Sequence, residues 1–546
     1  LTAPTSERPG SVSARLEGGF KALERSYRRL LEWTLGHRTA TVLVALASFA
    51  LAIFFGTRLG SEFFPTTDGR IMFMQFEMAP GTSLASTTKM LKRNEAYFLD
   101  LPERLAVFEG IGVTTSTGVG RPNAGAVFTT LVHADDRDRT SPEIMREARE
   151  VLGGIPGQKF TINDPSGSFS TEGQFQVLLQ GNLPIAELDT YATKLIGALQ
   201  RAGGFVDLDK DLKVGLPELR VIPDREKAAE LGVDAATLAR VIQVMIGGLD
   251  VGVFKEHGLR YDIRMRLDAA HRDSPEAVRS LSVRARDGKV VELRNLVRLE
   301  TGAAPSTISR VGRQRAVKVS GNLEGITLAD AVDDARRLAD QILPGDVQLE
   351  LAGQAETMQQ SAEQFFQMLL LAILVIYMVL ASQFESFVLP LSVMLALPFS
   401  MVGALGGLFA AGMTINMFSM IGIVLLMGLV TKNSILLVDY ANQLRDRGMD
   451  KVTAMRTAAP VRLRPVLMTA LSMIFGVLPA AIGLGPGAET RAPLAVATAA
   501  GMFSSMLLTL IVVPVFYIGL DDLAEWTVSV PARLRRRWHS EPARGN

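Results

Sequence analysis

The sequence predicts a multi-pass α-helical membrane protein with a large α+β periplasmic insert of ferredoxin-like βαβ subdomains. The first observation is a set of six apolar runs, since a helix needs about 20 residues to cross the hydrocarbon core. The second is a long polar stretch between the first and second runs, with alternating strand and helix patterns. The other five runs follow one another through short connectors, and a soluble protein could not cover so many apolar helices.

The apolar runs divide the chain into five expected regions. They are a cytoplasmic or interfacial helix (1–38), a first transmembrane helix (39–56), a periplasmic region (57–363), a five-helix transmembrane bundle (364–520) and a basic cytoplasmic tail (521–546). The runs of the bundle occupy residues 365–381, 387–411, 417–440, 465–484 and 492–520. Pro465 suits the first turn of a helix, so we expect the fifth of the six helices to begin there.

The distribution of basic residues predicts the orientation in the membrane. Lysines and arginines are concentrated before the first run, in the connector after the fourth run and after the sixth run. Six crossings bring these three segments to one face, which the positive-inside rule makes cytoplasmic. Both termini then lie in the cytoplasm and the insert lies outside. Residues 11–33 show helical apolar spacing, which fits either a helix at the cytoplasmic interface or a plain extension of the first crossing.

The composition excludes several classes of protein. The 57 Lys and Arg nearly balance the 56 Asp and Glu, so there is no basic excess of the kind that nucleic-acid binding requires. The absence of cysteine excludes disulfides, thiol catalysis and cysteine-based metal sites. The five histidines show no metal-ligand spacing, and the apolar runs hold no embedded His, Asp or Glu for a membrane hydrolase. We therefore predict no enzyme activity, no resident metal and no cofactor.

The insert begins with a recognisable order of elements. Its patterns are those of a strand, a helix, two strands, a helix and a strand, at 70–78, 83–99, 105–113, 125–133, 141–152 and 159–162. This βαββαβ order is typical of a split-βαβ, ferredoxin-like unit. A second unit starts with a strand at 174–180 and a helix at 185–202, and a strand, helix and strand at 316–352 close the region. Asp287-Gly288 predicts a β-hairpin in the stretch between the helix at 185–202 and the strand that begins at 316.

Lys432 is the most informative residue, because it lies deep in the fourth apolar run. A lysine at mid-membrane costs about 2.5–3.5 kcal/mol, and a buried ammonium needs a counter-ion. No other run holds a well-embedded Asp or Glu, and Asp439 lies two turns away toward the cytoplasm. We expect another polypeptide segment to supply the carboxylate, and Lys432 to belong to an ion or proton relay. A tolerated lysine that snorkels to the interface is the alternative.

Arg462 and Thr469 are candidate neighbours of Lys432. Their seven-residue spacing places them on one face of the fifth helix. For Arg462 the alternative is a purely topogenic charge. For Thr469 the alternative is a hydroxyl bonded to its own helix backbone.

Five stretches of the sequence resemble the resistance-nodulation-division (RND) efflux permeases, in their hydrophobe/amphiphile (acriflavine-resistance-like) branch. GLVTKNSILLVDYA at 428–441 resembles the lysine-bearing helix of that family, and RLRPVLMT at 462–469 resembles the start of its next helix. PDREKAAELGV at 223–233 resembles a periplasmic segment, and FESF at 384–387 and IVVPVF at 511–516 also fit. The resemblance covers about residues 12–520 and is to the C-terminal half of such a permease.

The resemblance implies a function and a set of partners. Lys432 would be the relay lysine, with Arg462 and Thr469 as neighbours, and the absent N-terminal half would carry the aspartates that pair with it. Protons would drive export of amphiphilic or hydrophobic small molecules from a bacterial inner membrane. The region 57–363 would be the periplasmic porter and docking region. The family works as homotrimers with a periplasmic adaptor and an outer-membrane channel.

The expected substrate pocket lies at Phe108, Val113 and Phe128, where the family has an aromatic pocket. This stretch has fewer aromatic residues than that pocket has in the family's multidrug members, and ordinary core packing is the alternative role for Phe108 and Phe128. Met72, Met74 and Met78 alternate on one strand, which would suit a copper or silver exporter. A membrane-anchored periplasmic scaffold or protein-export auxiliary is a further alternative. The sequence does not name the substrate.

Overall fold

A computed structural model describes residues 12–65, 67–112, 120–165, 173–305, 307–485 and 487–538. Val113, one of the expected pocket residues, lies outside these ranges. The helices of the described part are, in chain order, α1 (Val12–Gly36), α2 (Arg38–Arg58), α3 (Leu84–Asp100), α4 (Ser141–Gly153), α5 (Ile185–Ala202), α6 (Arg225–Glu230), α7 (Ala235–Ile242), α8 (Pro275–Arg279), α9 (Leu328–Ile342), α10 (Gly353–Phe384), α11 (Leu389–Met394), α12 (Ala396–Ala410), α13 (Met417–Asp446), α14 (Lys451–Ala481) and α15 (Ala488–Trp538).

Six helical segments of the described chain are long and apolar enough to cross a membrane, as the sequence predicts. They are α2, α10, α11 with α12, α13, α14 and α15 up to Asp522. α13 and α15 are the most enclosed, and the other helices pack around them in one apolar core. α10 already begins at Gly353, and α15 continues as helix to Trp538, well into the expected tail.

Prolines shape two of these helices. The run predicted at 387–411 is divided at Leu395, because Pro398 has no N–H to bond the carbonyl of Met394, where α11 ends. The expectation that the fifth helix begins at Pro465 is wrong: α14 begins at Lys451 behind the N-cap Asp450. Pro465 lies inside the helix, which tolerates it because neighbouring helices and side chains stabilise the interrupted turn.

α1 is a separate helix that packs back onto the bundle. It ends at Gly36, and His37, whose φ of −117° and ψ of 59° are not helical, separates it from α2. The Tyr27 hydroxyl donates a 2.9 Å hydrogen bond to the Leu510 carbonyl of α15. The Arg464 guanidinium of α14 lies 5.3 Å from the centre of the Phe20 ring. A plain extension of the first crossing is therefore wrong for this segment.

The strands of the described part are β1 (Ile71–Met78), β2 (Arg104–Ile111), β3 (Ala124–Leu131), β4 (Gln158–Asn163), β5 (Phe175–Gly181), β6 (Phe205–Lys210), β7 (Val214–Pro223), β8 (Leu249–Glu256), β9 (Leu259–Met265), β10 (Ser282–Arg284), β11 (Val290–Glu292), β12 (Val297–Pro305), β13 (Ser309–Val311), β14 (Gln314–Leu323) and β15 (Val347–Leu351). The first sheet has the antiparallel order β2-β3-β1-β4, with α3 and α4 packed on one face. This first subdomain has the βαββαβ order that the sequence predicts.

The second subdomain repeats that order with a long insertion. β6 pairs with β14, β14 with β5 and β5 with β15, and α5 and α9 cover one face. The order β6-β14-β5-β15 corresponds strand for strand to β2-β3-β1-β4. The chain between β6 and β14 forms the insertion, with β7 paired to β12, the short hairpin β10–β11, and a small apolar core of its own.

The hairpin β8–β9 projects from this insertion. Every residue of both strands is exposed. Phe254 and Tyr261 are paired across the strands on one face, and Val253 is an exposed apolar residue of the other face. A two-stranded hairpin alone is only marginally stable in water. This arm therefore has the properties of a segment that packs against another molecule.

Candidate functional site

Lys432 lies midway along α13, on the side of the helix that the described residues leave uncovered. Met417, Ile421 and Leu425 are exposed at a four-residue spacing, and Lys432 continues the same stripe. The opposite side of α13 is buried in the bundle core. The helix thus presents its lysine away from the helices of this chain.

The described residues offer Lys432 no ionic partner. None of their ion pairs includes it, and Asp439 on the same helix accepts a 2.9 Å hydrogen bond from the Gln443 amide instead. An ammonium group at this depth in a membrane is costly unless a carboxylate approaches it. The uncovered stripe is the side from which such a carboxylate can come.

Thr469 links α14 to α13 beside Lys432. Its hydroxyl Oγ1 lies 3.4 Å from Oδ1 of Asn433, the residue that follows the lysine, and Asn433 is buried. The same hydroxyl lies 3.0 Å from the carbonyl oxygen of Pro465 in its own helix. It also lies 3.1 Å from the Val466 carbonyl oxygen. The backbone alternative for Thr469 therefore describes the two shorter of its three contacts, and the contact with Asn433 is the longest.

Arg462 reaches α13 at a different level. Its guanidinium carbon lies 4.7 Å from the centre of the Tyr440 ring, two turns along α13 from Lys432. The Nε atom of Arg462 is buried, and no hydrogen-bond acceptor for it lies among the residues that the structure describes. The structure thus brings Thr469 to Asn433 and Arg462 to Tyr440, and no hydrogen bond or ion pair among the described residues joins either side chain to Lys432.

A row of three phenylalanines crosses the first sheet. Phe73 of β1 is paired with Phe128 of β3, which is paired in turn with Phe108 of β2. The ring centres of Phe73 and Phe128 are 4.4 Å apart, and those of Phe108 and Phe128 are 6.1 Å apart. Phe73 is fully buried, whereas Phe108 is 65% exposed. The row lies on the face opposite α3 and α4, so Phe108 belongs to an open sheet face and core packing does not describe it.

The alternating methionines occupy the other face of the same strand. Met72 and Met74 are both fully buried in the apolar core beneath α3 and α4. A metal ion could not reach these sulfur atoms without unpacking that core. No cluster of three or more His, Asp or Glu suited to a metal lies in the described ranges either.

A charged cleft separates the two βαββαβ subdomains. Its cavity of about 550 Å³ is lined mainly by polar side chains of β1, β4, β6 and α5. The Lys213 ammonium group lies between the two sides of the cleft. It is 3.2 Å from the Glu77 carboxylate of the first subdomain and is also paired with Asp209 of the second. Burial acts to lower the pKa of Lys213, but the two carboxylates outweigh it and hold that pKa above its ordinary value. Lys213 therefore connects the two sides of the cleft through ion pairs.

Three residues of these sites gave little signal in the sequence. Asn433 is one polar residue among several in its helix, and Tyr440 is an ordinary residue near a helix end. Phe73 stands between two methionines of a strand that reads as core. Strand register alone could have found Phe73, since it requires knowing which residue lies opposite Phe128.

Comparison with known proteins identifies the family. The model of the AcrB/AcrD/AcrF family matches residues 2–521. The chain belongs to this family of RND permeases. They are transporters and not enzymes, and with six apolar helices the chain is an inner-membrane protein.

Individual relatives are named for resistance to different compounds. The chain is 29% identical to the cobalt-zinc-cadmium resistance protein CzcA of Cupriavidus metallidurans, over 90% of this chain and 48% of the relative. It is 28% identical to the multidrug resistance protein MdtC of Yersinia enterocolitica, over 98% of this chain and 52% of the relative. A crystal structure of a heavy metal efflux pump matches with a TM-score of 0.79 at 25% identity, over 94% of this chain and 53% of the pump. The chain spans about half the length of these relatives.

Proposed function

We propose that this chain forms the lysine-bearing half of a proton-driven RND permease that exports amphiphilic or hydrophobic small molecules. The observation that carries the proposal is Lys432 at the middle of α13, which the described part of the chain leaves uncovered and unpaired. A carboxylate on a facing helix would pair with it when ionised and release it when protonated. Because a protonated carboxylic acid no longer attracts the ammonium, each protonation would shift α13 relative to the facing helix.

Arg462 and Thr469 are the proposed neighbours in this relay. Thr469 would hold Asn433, and so the adjoining Lys432, in a fixed orientation. Arg462 would keep a second positive charge near the cytoplasmic end, where its unpaired Nε can meet an acceptor from the facing half. Both act on the same face of α14, as their seven-residue spacing requires.

The proposed membrane arrangement follows the charge distribution. The segments 39–56 and 364–520 would span the inner membrane, with 1–38 and 521–546 on the cytoplasmic side. The region 57–363, which contains both βαββαβ subdomains, would lie in the periplasm. Its two subdomains would form the porter, and the insertion between β6 and β14 would form the docking region.

The proposed partners are other protein segments. An N-terminal half would supply the acidic counter-ions of Lys432. The exposed β8–β9 hairpin fits a contact between copies in a homotrimer, because the residues that the structure describes leave its apolar side chains uncovered. A periplasmic adaptor and an outer-membrane channel would complete the export path. Whether the acidic half belongs to the same polypeptide is tested by the mass of the native protein, against 59.0 kDa for this chain.

The substrate proposal rests on the phenylalanine row. An open sheet face with an exposed ring suits an apolar or amphiphilic molecule better than a metal ion. A metal cargo is the second candidate, because one relative is a cobalt-zinc-cadmium resistance protein and one similar structure is a heavy metal efflux pump. The buried Met72 and Met74 do not favour it. A passive periplasmic scaffold would have no use for a costly lysine in mid-membrane.

Export assays with two kinds of substrate test this proposal. Cells producing the assembled permease are loaded with a fluorescent amphiphilic cation or challenged with cobalt and zinc. We expect dye export that Lys432→Met abolishes, and no protection against the metals. Lys289→Met, at a surface lysine of the β10–β11 turn, is the matched control. If the wild type exported the metals and Lys432→Met did not, the substrate would be a metal ion. If Lys432→Met still exported the dye, the relay would be refuted.

A further inference from the structure

The segment that joins α2 to the first sheet is held between two other parts of the chain. We propose that this junction, formed by residues 60–63, 414–417 and 327–329, transmits movement of α13 to the second βαββαβ subdomain. The inference rests on the proposed relay at Lys432, because that relay supplies the movement. It concerns residues that lie outside both the relay and the phenylalanine row.

One side of the junction is bonded to the start of α13. The Ile415 N–H donates a 2.9 Å hydrogen bond to the Gly60 carbonyl, and the Glu62 N–H donates a 3.0 Å bond to the Ile415 carbonyl. Ser61 and Ile415 thus form a parallel bridge. The Met417 N–H, at the first residue of α13, lies 3.3 Å from the Phe63 carbonyl oxygen that accepts its bond.

Residues 414–417 of the junction move with α13 because the start of that helix is rigidly capped. The Asn416 side chain accepts hydrogen bonds from the N–H groups of Phe418 at 3.1 Å and Ser419 at 3.0 Å. The Ser419 hydroxyl in turn accepts the Asn416 N–H at 2.8 Å, and both residues are fully buried. Such a complete capping box fixes the entry of the chain into the helix. Lys432 lies about four turns further along this helix.

The other side of the junction contacts α9 of the second subdomain. The Ala329 N–H donates a 3.2 Å hydrogen bond to the Ser61 carbonyl. Gly60 packs so closely on Thr327 that an added Cβ would overlap the Thr327 Cγ2 methyl. Thr327 is the N-cap of α9, with its hydroxyl accepting the Asp330 N–H. A shift of α13 is therefore passed through two bonded segments to the end of α9, since packed segments resist deformation.

A pair of substitutions isolates this contact. Gly60→Ala places a methyl group against Thr327, and Thr327→Ser removes the opposing Cγ2 while it keeps the capping hydroxyl. Gly60 does not have a positive φ, so alanine fits its backbone. Gly345→Ala is the matched control, because a Cβ there meets nothing within 4 Å.

The readout is a distance change in the assembled permease. The chain has no cysteine, so spin labels at Lys89→Cys of α3 and Asp340→Cys of α9 are unique in it. Both positions are exposed. We expect acidification to change this distance in the wild type, and Gly60→Ala to remove most of the change and lower export about tenfold. We expect Gly60→Ala with Thr327→Ser to restore both, and Gly345→Ala to alter neither.

Each outcome bears on one part of the account. A full proton-linked change and full export in Gly60→Ala would overturn the junction, whatever the fate of the relay. A change that persists in Lys432→Met would overturn the relay. The absence of any change in the wild type would overturn both. Loss of the resting distance in Gly60→Ala would indicate local unfolding, and its failure to return with Thr327→Ser would count against the junction.

Discussion

The Thr469 hydroxyl lies 3.4 Å from Oδ1 of Asn433, which joins α14 to α13 one residue from Lys432. Asn433 is buried, so a partner lost from its side chain is not replaced by water. In the proposed relay, this contact would hold the helix segment that carries the lysine in one orientation. It is the contact through which, in the proposed relay, the hydroxyl of Thr469 would act on the charge of Lys432.

Replacement of Thr469 by alanine tests this orientation. We expect Thr469→Ala to reduce the export rate roughly two- to thirty-fold, the range that changes of about 0.5–2 kcal/mol in coupling produce. Thr469→Ser keeps the hydroxyl and should retain most of the activity. The rates are measured at equal protein amounts in membranes. Equal losses in the alanine and serine variants would show that the methyl group matters and that the hydrogen bond does not.

The phenylalanine row separates stability from substrate binding. Phe128 is packed between two rings, so Phe128→Ala should lower the free energy of unfolding by about 3 kcal/mol. Phe108→Ala, at an exposed position, should lower the free energy of unfolding by no more than about 0.5 kcal/mol. It should nevertheless reduce the export of amphiphiles. Leu105→Ala, at another exposed position of β2, is the control. Normal export in Phe108→Ala would remove the open sheet face from the substrate path.

Glu62 makes stability depend on pH in a defined direction. Burial raises its pKa above the ordinary value of 4.5, and the hydrogen bond from the Thr414 hydroxyl opposes this only in part. A carboxyl whose pKa is raised by folding stabilises the protein below the ordinary pKa, and the contribution is lost as the pH rises through the folded value. Glu62→Gln should therefore raise the melting temperature at neutral pH and leave it unchanged below 4.5.

The control for Glu62 is Asp340→Asn, which changes an exposed acid on α9. Its melting temperature should follow that of the wild type at every pH. If the melting temperature of Glu62→Gln also followed that of the wild type across the whole pH range, burial would not raise the pKa of the Glu62 carboxyl.

The β8–β9 arm predicts a change in assembly without a change in folding. Phe254 and Tyr261 face each other on the two strands, and each is about half exposed. Replacing both with serine should weaken the proposed homotrimer in native mass measurements while the subdomain cores remain intact. Val290→Ser, at another exposed apolar position, should leave assembly unchanged. A trimer of undiminished stability in the double variant would exclude the arm from the interface.

The sequence predicts the membrane helices well because a long apolar run has few alternatives. Their ends are harder to predict: α14 begins well before Pro465, since packed helices tolerate an interior proline that an isolated helix would not. The first βαββαβ unit is local in sequence and could be predicted from its patterns. The pairing of β5 with β14 across the long insertion could not, because strand patterns do not specify distant partners.

The candidate residues differ in the same way. Lys432 is conspicuous, because a charge inside an apolar run has a known energetic cost. Asn433, Glu62 and Gly60 are not conspicuous in the sequence, because their proposed roles depend on which segment packs beside them. The exposure of Phe108 likewise depends on which face of the sheet the helices cover.

Proton flux in proteoliposomes containing the assembled permease tests the central claim most directly. A pH gradient is imposed, an amphiphilic substrate is added, and the decay of the gradient is followed with an internal pH dye. We predict that substrate accelerates the decay in the wild type and has no effect in Lys432→Met. Equal acceleration in the two proteins would contradict the account, because protons would then cross without the lysine.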